Sequence, residues 1–209
     1  MHETEQLSYD EQIYYLDKDI DMIELDRSLN KLKKNKASGV DNIINEFLIF
    51  STVRAKEVML AIFNSILLTQ HFPSIWVKGE IAPIFKTGCK FDANNYRGIV
   101  IISCLGKLFT TILNNRLNTW AESEGLLTES QFGFRRGRGT TDGLFVLHGL
   151  IEILLARNKR LYCVFVDYEK AYDYLNRAAV FSKLLNFGIS SKCINLFKSM
   201  YADIELMVK

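Results

Sequence analysis

Two aspartates in the stretch CVFVDYEKAYDYLNR, residues 163–177, are the first groups in this sequence that could do chemistry. Asp167 stands where an apolar run breaks, and Asp173 follows six positions later. Residues 161–166 are apolar on both alternating sets, the pattern of a strand buried on both faces of a sheet. A carboxylate at the end of such a strand is costly to bury unpaired, so it must be hydrated, paired or bound to a cation. Hard ions such as Mg²⁺ take oxygen ligands of this kind, often one or two carboxylates together with substrate phosphates. Spacing alone also describes an Asp that ends a strand or caps a helix, and on spacing that reading ranks first. Asp173 reads as an acid at a helix entry.

Two further groups carry charge in a usable pattern. The segment QFGFRRGRGTTD, residues 131–142, sets Arg135, Arg136 and Arg138 among Gly133, Gly137 and Gly139. Open backbone and guanidinium forks suit a phosphate backbone, and a solvated turn suits them as well. The segment lacks the GxxxxGK[ST] pattern of a Walker loop. Lys86 closes one short β-branched run and Arg97 opens the next, so across a hairpin the pair could clamp an anion; a solvated strand edge describes them as well and ranks first on spacing. From Lys86 to Arg138 eight cations face four acids, a local +4 against +2 for the whole chain. Positive charge is therefore local, as a polyanion channel requires.

These groups need elements to position them. Apolar spacing predicts helices over 17–34, 52–70, 105–124, 142–157, 178–187 and 191–201. Acids lead and lysines trail in the first, which suits the helix dipole. GEIAPIFKTG and YRGIVIIS predict a strand pair joined by a longish polar loop. Strands are also expected over 161–166 and 204–209, and KASGVDN, residues 36–42, reads as a turn-rich break. The first 16 residues are expected to be loosely ordered. A final strand with no turn after it would leave a sticky edge, which suggests part of something longer.

Composition excludes several classes. Hydrophobic residues at 48% support a sizeable core, and two prolines with no low-complexity tract argue against disorder. Cys89, Cys104, Cys163 and Cys193 form no CxxC pair and three histidines are scattered, so no zinc site is expected. No leader and no apolar run of about 18 residues stands in the sequence, so an intracellular protein, in nucleus or cytoplasm, with free thiols is expected rather than a secreted or membrane one.

In order and spacing, these motifs resemble the reverse transcriptase domain of non-LTR (LINE-type) retrotransposons. The resemblance rests on KNKASGVDNIINEFL, IAPIFKTG, NNYRGIVIISCLGKLFTTILNNRL, LLTESQFGFRRGRGTTD, FVDYEKAYDYLNR and FGIS…CINLFKSMYAD, from about residue 20 to the end. It implies an α+β right-hand polymerase fold, with residues 17–209 as fingers and partial palm. It implies two-metal nucleotidyl transfer with Mg²⁺ or Mn²⁺, RNA template, DNA primer and deoxynucleoside triphosphates. Asp167 would be the catalytic metal ligand, and the Tyr168 backbone carbonyl a further one. Lys86 and Arg97 would hold nucleotide phosphates, Lys170 and Ala171 would lie against the triphosphate, and Tyr172 would be the ring that excludes a ribose 2′-hydroxyl. Gln131, Arg135, Arg136 and Arg138 would contact template and primer.

The sequence also departs from the family. Tyr172 stands where the LINE-type pattern usually has Phe, and Ser38 and Val40 stand where it often has Pro. The strand-turn bearing paired aspartates is expected beyond residue 209, so the fold is expected to be truncated before it. Tyr201, Ala202 and Asp203 imitate that box, but they lack its second aspartate and come too early. No metal is therefore expected to bind tightly, and residues 1–209 are expected to be inactive alone. The alternatives are a nucleic-acid-binding remnant of a retroelement without catalysis, and a decayed product without function.

Overall fold

A computed structural model describes residues 15–169 and 171–208. Seven helices and three strands of it position the candidate residues: α1 (Met22–Leu29), α2 (Asn45–Ile49), α3 (Val53–Thr69), β1 (Lys78–Phe85), β2 (Tyr96–Ile102), α4 (Cys104–Ser123), α5 (Thr140–Ala156), α6 (Arg177–Asn186), α7 (Ser191–Met200) and β3 (Glu205–Val208). The chain divides into two compact units, one of residues 1–116 and 183–209, the other of residues 117–182. The expectation for the first 16 residues falls almost wholly outside the described residues.

In the first unit the helices start where local chemistry dictates. Asp21 caps α1, accepting from the Glu24 amide at 2.8 Å, while the Glu24 carboxylate accepts from the Asp21 amide at 3.3 Å. This reciprocal box satisfies two amides that a helix start leaves free. It also shortens the expected helix over 17–34, because the box fixes the first turn at Met22. Thr52 caps α3 by accepting from the Ala55 amide, and Gln70 ends it in the left-handed region at φ 57°. Ser190 caps α7 through the Cys193 amide at 3.1 Å and donates to Asp17 Oδ1 at 2.8 Å. The five-residue α2 is absent from the sequence expectation, being too short for apolar periodicity to register.

The core of this unit is a cluster of side chains from α1 to α4 and α7, with Ile20, Phe72 and Trp76 from the connecting segments. Phe63, fully buried, stands 5.2 Å from the Phe109 ring and 6.2 Å from Trp76. Phe72 meets Trp76 at 5.5 Å in an edge arrangement, the geometry that aromatic quadrupoles prefer. Asn64 ties the entry of α1 to α3, its side chain accepting from the Ile20 amide at 2.7 Å and donating to the Ile20 carbonyl at 3.1 Å. The turn at 36–42 packs against the start of α4: a Cβ on Gly39 would lie 2.6 Å from the Ile102 carbonyl carbon and the Ser103 nitrogen. Only glycine lets the backbones approach so closely.

Arg116 is the buried polar centre. Its Nε and Nη2 donate to Glu24 Oε1 and Oε2 at 2.7 and 2.6 Å. Nη1 donates to the Leu16 and Lys18 carbonyls at 3.3 and 2.6 Å, and Nη2 to that of Asp19 at 3.0 Å. All five guanidinium donors are therefore used, which lets a charge stand at 1% exposure.

The sheet has the order β2-β1-β3. β1 and β2 pair antiparallel, as the strand-pair pattern requires, and β3 lies parallel to β1 on its other side. The final strand is thus paired with β1 along one edge, with Lys78 Nζ 2.8 Å from Glu205 Oε2, and it stands at the rim of the sheet. Tyr201, Ala202 and Asp203 form the turn between α7 and β3.

In the second unit α5 begins at Thr140, after Gly139, two residues earlier than the expected start at 142, and none of its residues is buried. The strand expected over 161–166 does not form. Those residues lie in no ladder, and Val164, Phe165 and Val166 are strongly exposed. An apolar run reads as a central strand only if neighbours offer hydrogen bonds on both edges. All three described strands instead belong to the first unit.

Candidate nucleotide and nucleic-acid interface

The strand pair of the first unit brings Lys86 and Arg97 together. Arg97 stands opposite Ile84 in the antiparallel register, and the ladder continues one step as the Lys86 amide donates to the Asn95 carbonyl at 2.8 Å. Opposed residues share a face, and so do alternate residues of one strand. Lys86 is therefore the diagonal neighbour of Arg97 on one face, a spacing of roughly 7–8 Å. Both side chains are exposed, and neither is paired with a protein group among the described residues.

The loop between them is ordered by its own polar groups. Asn95 Nδ2 donates to the Cys89 carbonyl at 2.9 Å, and the Tyr96 hydroxyl to the Lys90 carbonyl at 2.9 Å. Asp92 Oδ1 accepts from the Asn94 amide at 2.9 Å. Lys90 lies over the Phe85 ring at 6.0 Å, and Phe85 meets Tyr96 at 5.4 Å. Two free cations on a preorganised strand pair can grip a phosphate group without first being ordered, which reduces the entropic cost of binding.

In the second unit the arginines of 131–138 divide into two kinds. Arg135 is buried and committed: Nε and Nη2 donate to both Glu122 oxygens at 2.8 and 2.6 Å, and Nη1 to the Thr128 carbonyl at 2.7 Å. Arg138 donates to the Glu129 carbonyl at 2.7 Å and pairs with the Glu129 carboxylate. Arg136 is exposed and has no protein partner among the described residues. Gln131 Nε2 donates to the Gly133 carbonyl at 3.3 Å. The local positive charge is thus smaller than the count implies, because buried Arg116 is neutralised by Glu24 from outside that span, while Arg135 pairs with Glu122, already counted. Position explains Arg116: it lies four residues from both Ile112 and Trp120, on the apolar stripe of α4.

The anchors respond to pH. The Arg135 guanidinium, by its hydrogen bonds, holds the Glu122 carboxyl below its ordinary value of 4.5, and Arg138 does the same for Glu129. A depressed carboxyl contributes stability above its unfolded value and loses it as pH falls through the folded one. Glu122→Gln is therefore expected to lower the Tm at neutral pH. That deficit should vanish in acid, well below 4.5. A deficit independent of pH in thermal melts would contradict the pairing.

Asp167 and Tyr168 are exposed on irregular chain, and Tyr172 is exposed in the turn after them. Ala171 and Asp173 lie in that same turn, while Lys170 lies outside the described residues. Among the described residues no three His, Cys, Asp or Glu side chains form a group that could hold a metal ion. A two-ion site needs several anionic oxygens on two neighbouring positions, and Asp167 alone does not supply them. The side chains described here do not fit such a pair of ions. The described cysteines are free thiols, Cys104 and Cys193 buried and Cys89 and Cys163 exposed, and burial pushes the Cys193 thiol up to about 12. No helix among the described residues is long and apolar enough to cross a membrane.

Comparison with known proteins places these features. Residues 84–208 match the family described as "Reverse transcriptase (RNA-dependent DNA polymerase)". The chain is 32% identical over 196 residues to the probable RNA-directed DNA polymerase from transposon BS of Drosophila melanogaster, covering 92% of this chain and 21% of that protein. It is 32% identical over 154 residues to the RNA-directed DNA polymerase from mobile element jockey of the same fly, covering 72% of this chain and 16% of that protein. It is 34% identical over 143 residues to the corresponding protein of the transposon X-element, covering 66% of this chain and 15% of that protein. The chain spans about a fifth or less of the length of these relatives. Its mixed α and β elements with a small sheet agree with that fold. The chain belongs to the reverse transcriptase family, in the branch of non-LTR retrotransposons.

Proposed function

We propose that residues 17–209 are fingers and part of the palm of an RNA-directed DNA polymerase. Its partners would be an RNA template, a DNA primer and deoxynucleoside triphosphates. The observation that carries this reading is the pair of free cations, Lys86 and Arg97, on one face of an ordered strand pair. A triphosphate is the ligand that two adjacent unpaired cations suit best. The relatives' printed names, RNA-directed DNA polymerases of mobile elements, support the substrate class.

In this reading Asp167 offers one carboxylate to a divalent ion, with the Tyr168 carbonyl beside it. By the family resemblance, Tyr172 would present its ring to the sugar and the backbone at Ala171 would lie along the triphosphate, with Lys170, outside the described residues, expected to join it. Gln131 and Arg136 face the primer–template, while Arg135 and Arg138 act by holding the loop in place through Glu122 and Glu129.

A second reading, a module that binds nucleic acid without polymerising, is favoured by one feature: the described cation face stands ready, whereas among the described residues Asp167 stands in no metal-binding cluster. Primer extension by residues 1–209 on an RNA template with Mg²⁺ or Mn²⁺ separates the two. We expect binding without extension. Extension that Asp167→Asn abolishes would show that one carboxylate suffices, against this account.

A further inference from the structure

We infer that the loop over 131–138 presents an aromatic stacking residue, Phe134, together with Arg136, to unpaired bases of a single-stranded nucleic acid. The inference deepens the polymerase reading above and rests on it. It starts from a backbone oddity. Phe134 is held in the left-handed region at φ 62° and the residue is 88% exposed. A bulky residue seldom adopts that conformation, and holding it there costs free energy. No packing explains the cost, because an exposed ring gains little from its own protein.

Neighbouring residues make the contrast clear. Phe132, two positions earlier, is half-buried beside the first turn of α5, where a Cβ on Gly143 would meet its ring at 3.4 Å. Arg135, the next residue after Phe134, is locked by its two bonds to Glu122 and one to Thr128. Arg138 is locked to Glu129 three residues on. Two anchors thus fix the loop, and between them Phe134 and Arg136 stand in solvent. A Cβ at Gly133 or Gly137 would meet nothing within 4 Å, so a ligand can approach from either flank.

An exposed ring beside a free guanidinium is the combination that binds single strands. The ring stacks on a base of any identity, and the cation meets the adjoining phosphate. A blunt duplex offers phosphates but keeps its bases stacked inside, so the ring adds little there. The glutamates neutralise Arg135 and Arg138, which leaves Arg136 as the cation of this loop open to a phosphate.

The test measures binding of residues 1–209 to a single-stranded RNA oligonucleotide and to a blunt duplex of equal length. Phe134→Ala should weaken single-strand binding roughly 5- to 100-fold, the range for loss of one stacked base, with less than about two-fold change on the duplex. Arg136→Ala should weaken both and reduce the salt slope by about one. Phe134→Gly relieves the left-handed backbone, so its Tm should rise while single-strand affinity falls, whereas a ring with a structural role would lower the Tm. Unchanged single-strand affinity in Phe134→Ala, or an equal loss on the duplex, would overturn the stacking role. If Arg136→Ala still weakened binding, the polymerase reading would stand without it. No binding of either nucleic acid at low salt would overturn both.

Discussion

Replacing Arg116 by alanine is expected to lower the free energy of unfolding by about 3–5 kcal/mol, the range for removing one partner of a buried ion pair. The guanidinium is 1% exposed and uses all its donors, on Glu24 and on the carbonyls of Leu16, Lys18 and Asp19. Its removal leaves a carboxylate and three carbonyls without their donor, inside protein that water reaches poorly. It also unties the chain before α1 from α4. For a chain of this size the Tm should fall by roughly 6–20 °C. Arg116→Lys should recover little of the loss, because an ammonium cannot reproduce the fork. A cycle with Glu24→Gln should show strong coupling between the two sites. A Tm change no larger than that of a surface pair would contradict the buried geometry.

A second large effect is expected at the strand pair. Each charge-assisted hydrogen bond to phosphate contributes about 1.5–3 kcal/mol, so Lys86→Ala and Arg97→Ala should each weaken triphosphate binding roughly ten- to a hundred-fold. The double variant should fall short of the product of the two, since both cations act on one ligand. Neither side chain supports the core, so the Tm should stay within a degree or two of the parent. A nucleoside without phosphates should bind parent and variants alike. Equal losses for nucleoside and triphosphate would place the defect in folding.

Much of this fold can be read in the residues. Thr52 with Gln70 bounds α3, and the β-branched runs on either side of the 86–95 loop form the strand pair. These features are local, so pattern and caps suffice. Arg116 could also have been found, since a basic residue on an apolar stripe must be buried with a partner or must break the stripe. Its partner, ninety-two residues away, is a matter of tertiary structure. The run over 161–166 misleads for the opposite reason: its apolar pattern is real, but a strand exists only where another strand pairs with it, and none of the described residues does. Phe134 is illegible in sequence, because a backbone dihedral leaves no compositional mark. The distinction between Arg135 and Arg136 is likewise hidden, since adjacent arginines differ only in which one meets Glu122.

The central claim, that Lys86 and Arg97 form the phosphate grip of a polymerase, is tested most directly by affinity labelling. A deoxynucleoside triphosphate whose terminal phosphate carries an acyl group transfers that group to the nearest lysine, which mass spectrometry then locates. Labelling is expected to concentrate at Lys86, to be suppressed by unmodified triphosphate and to fall in Arg97→Ala. Labelling spread over the surface lysines, or labelling of Lys86 that triphosphate fails to suppress, would contradict the assignment.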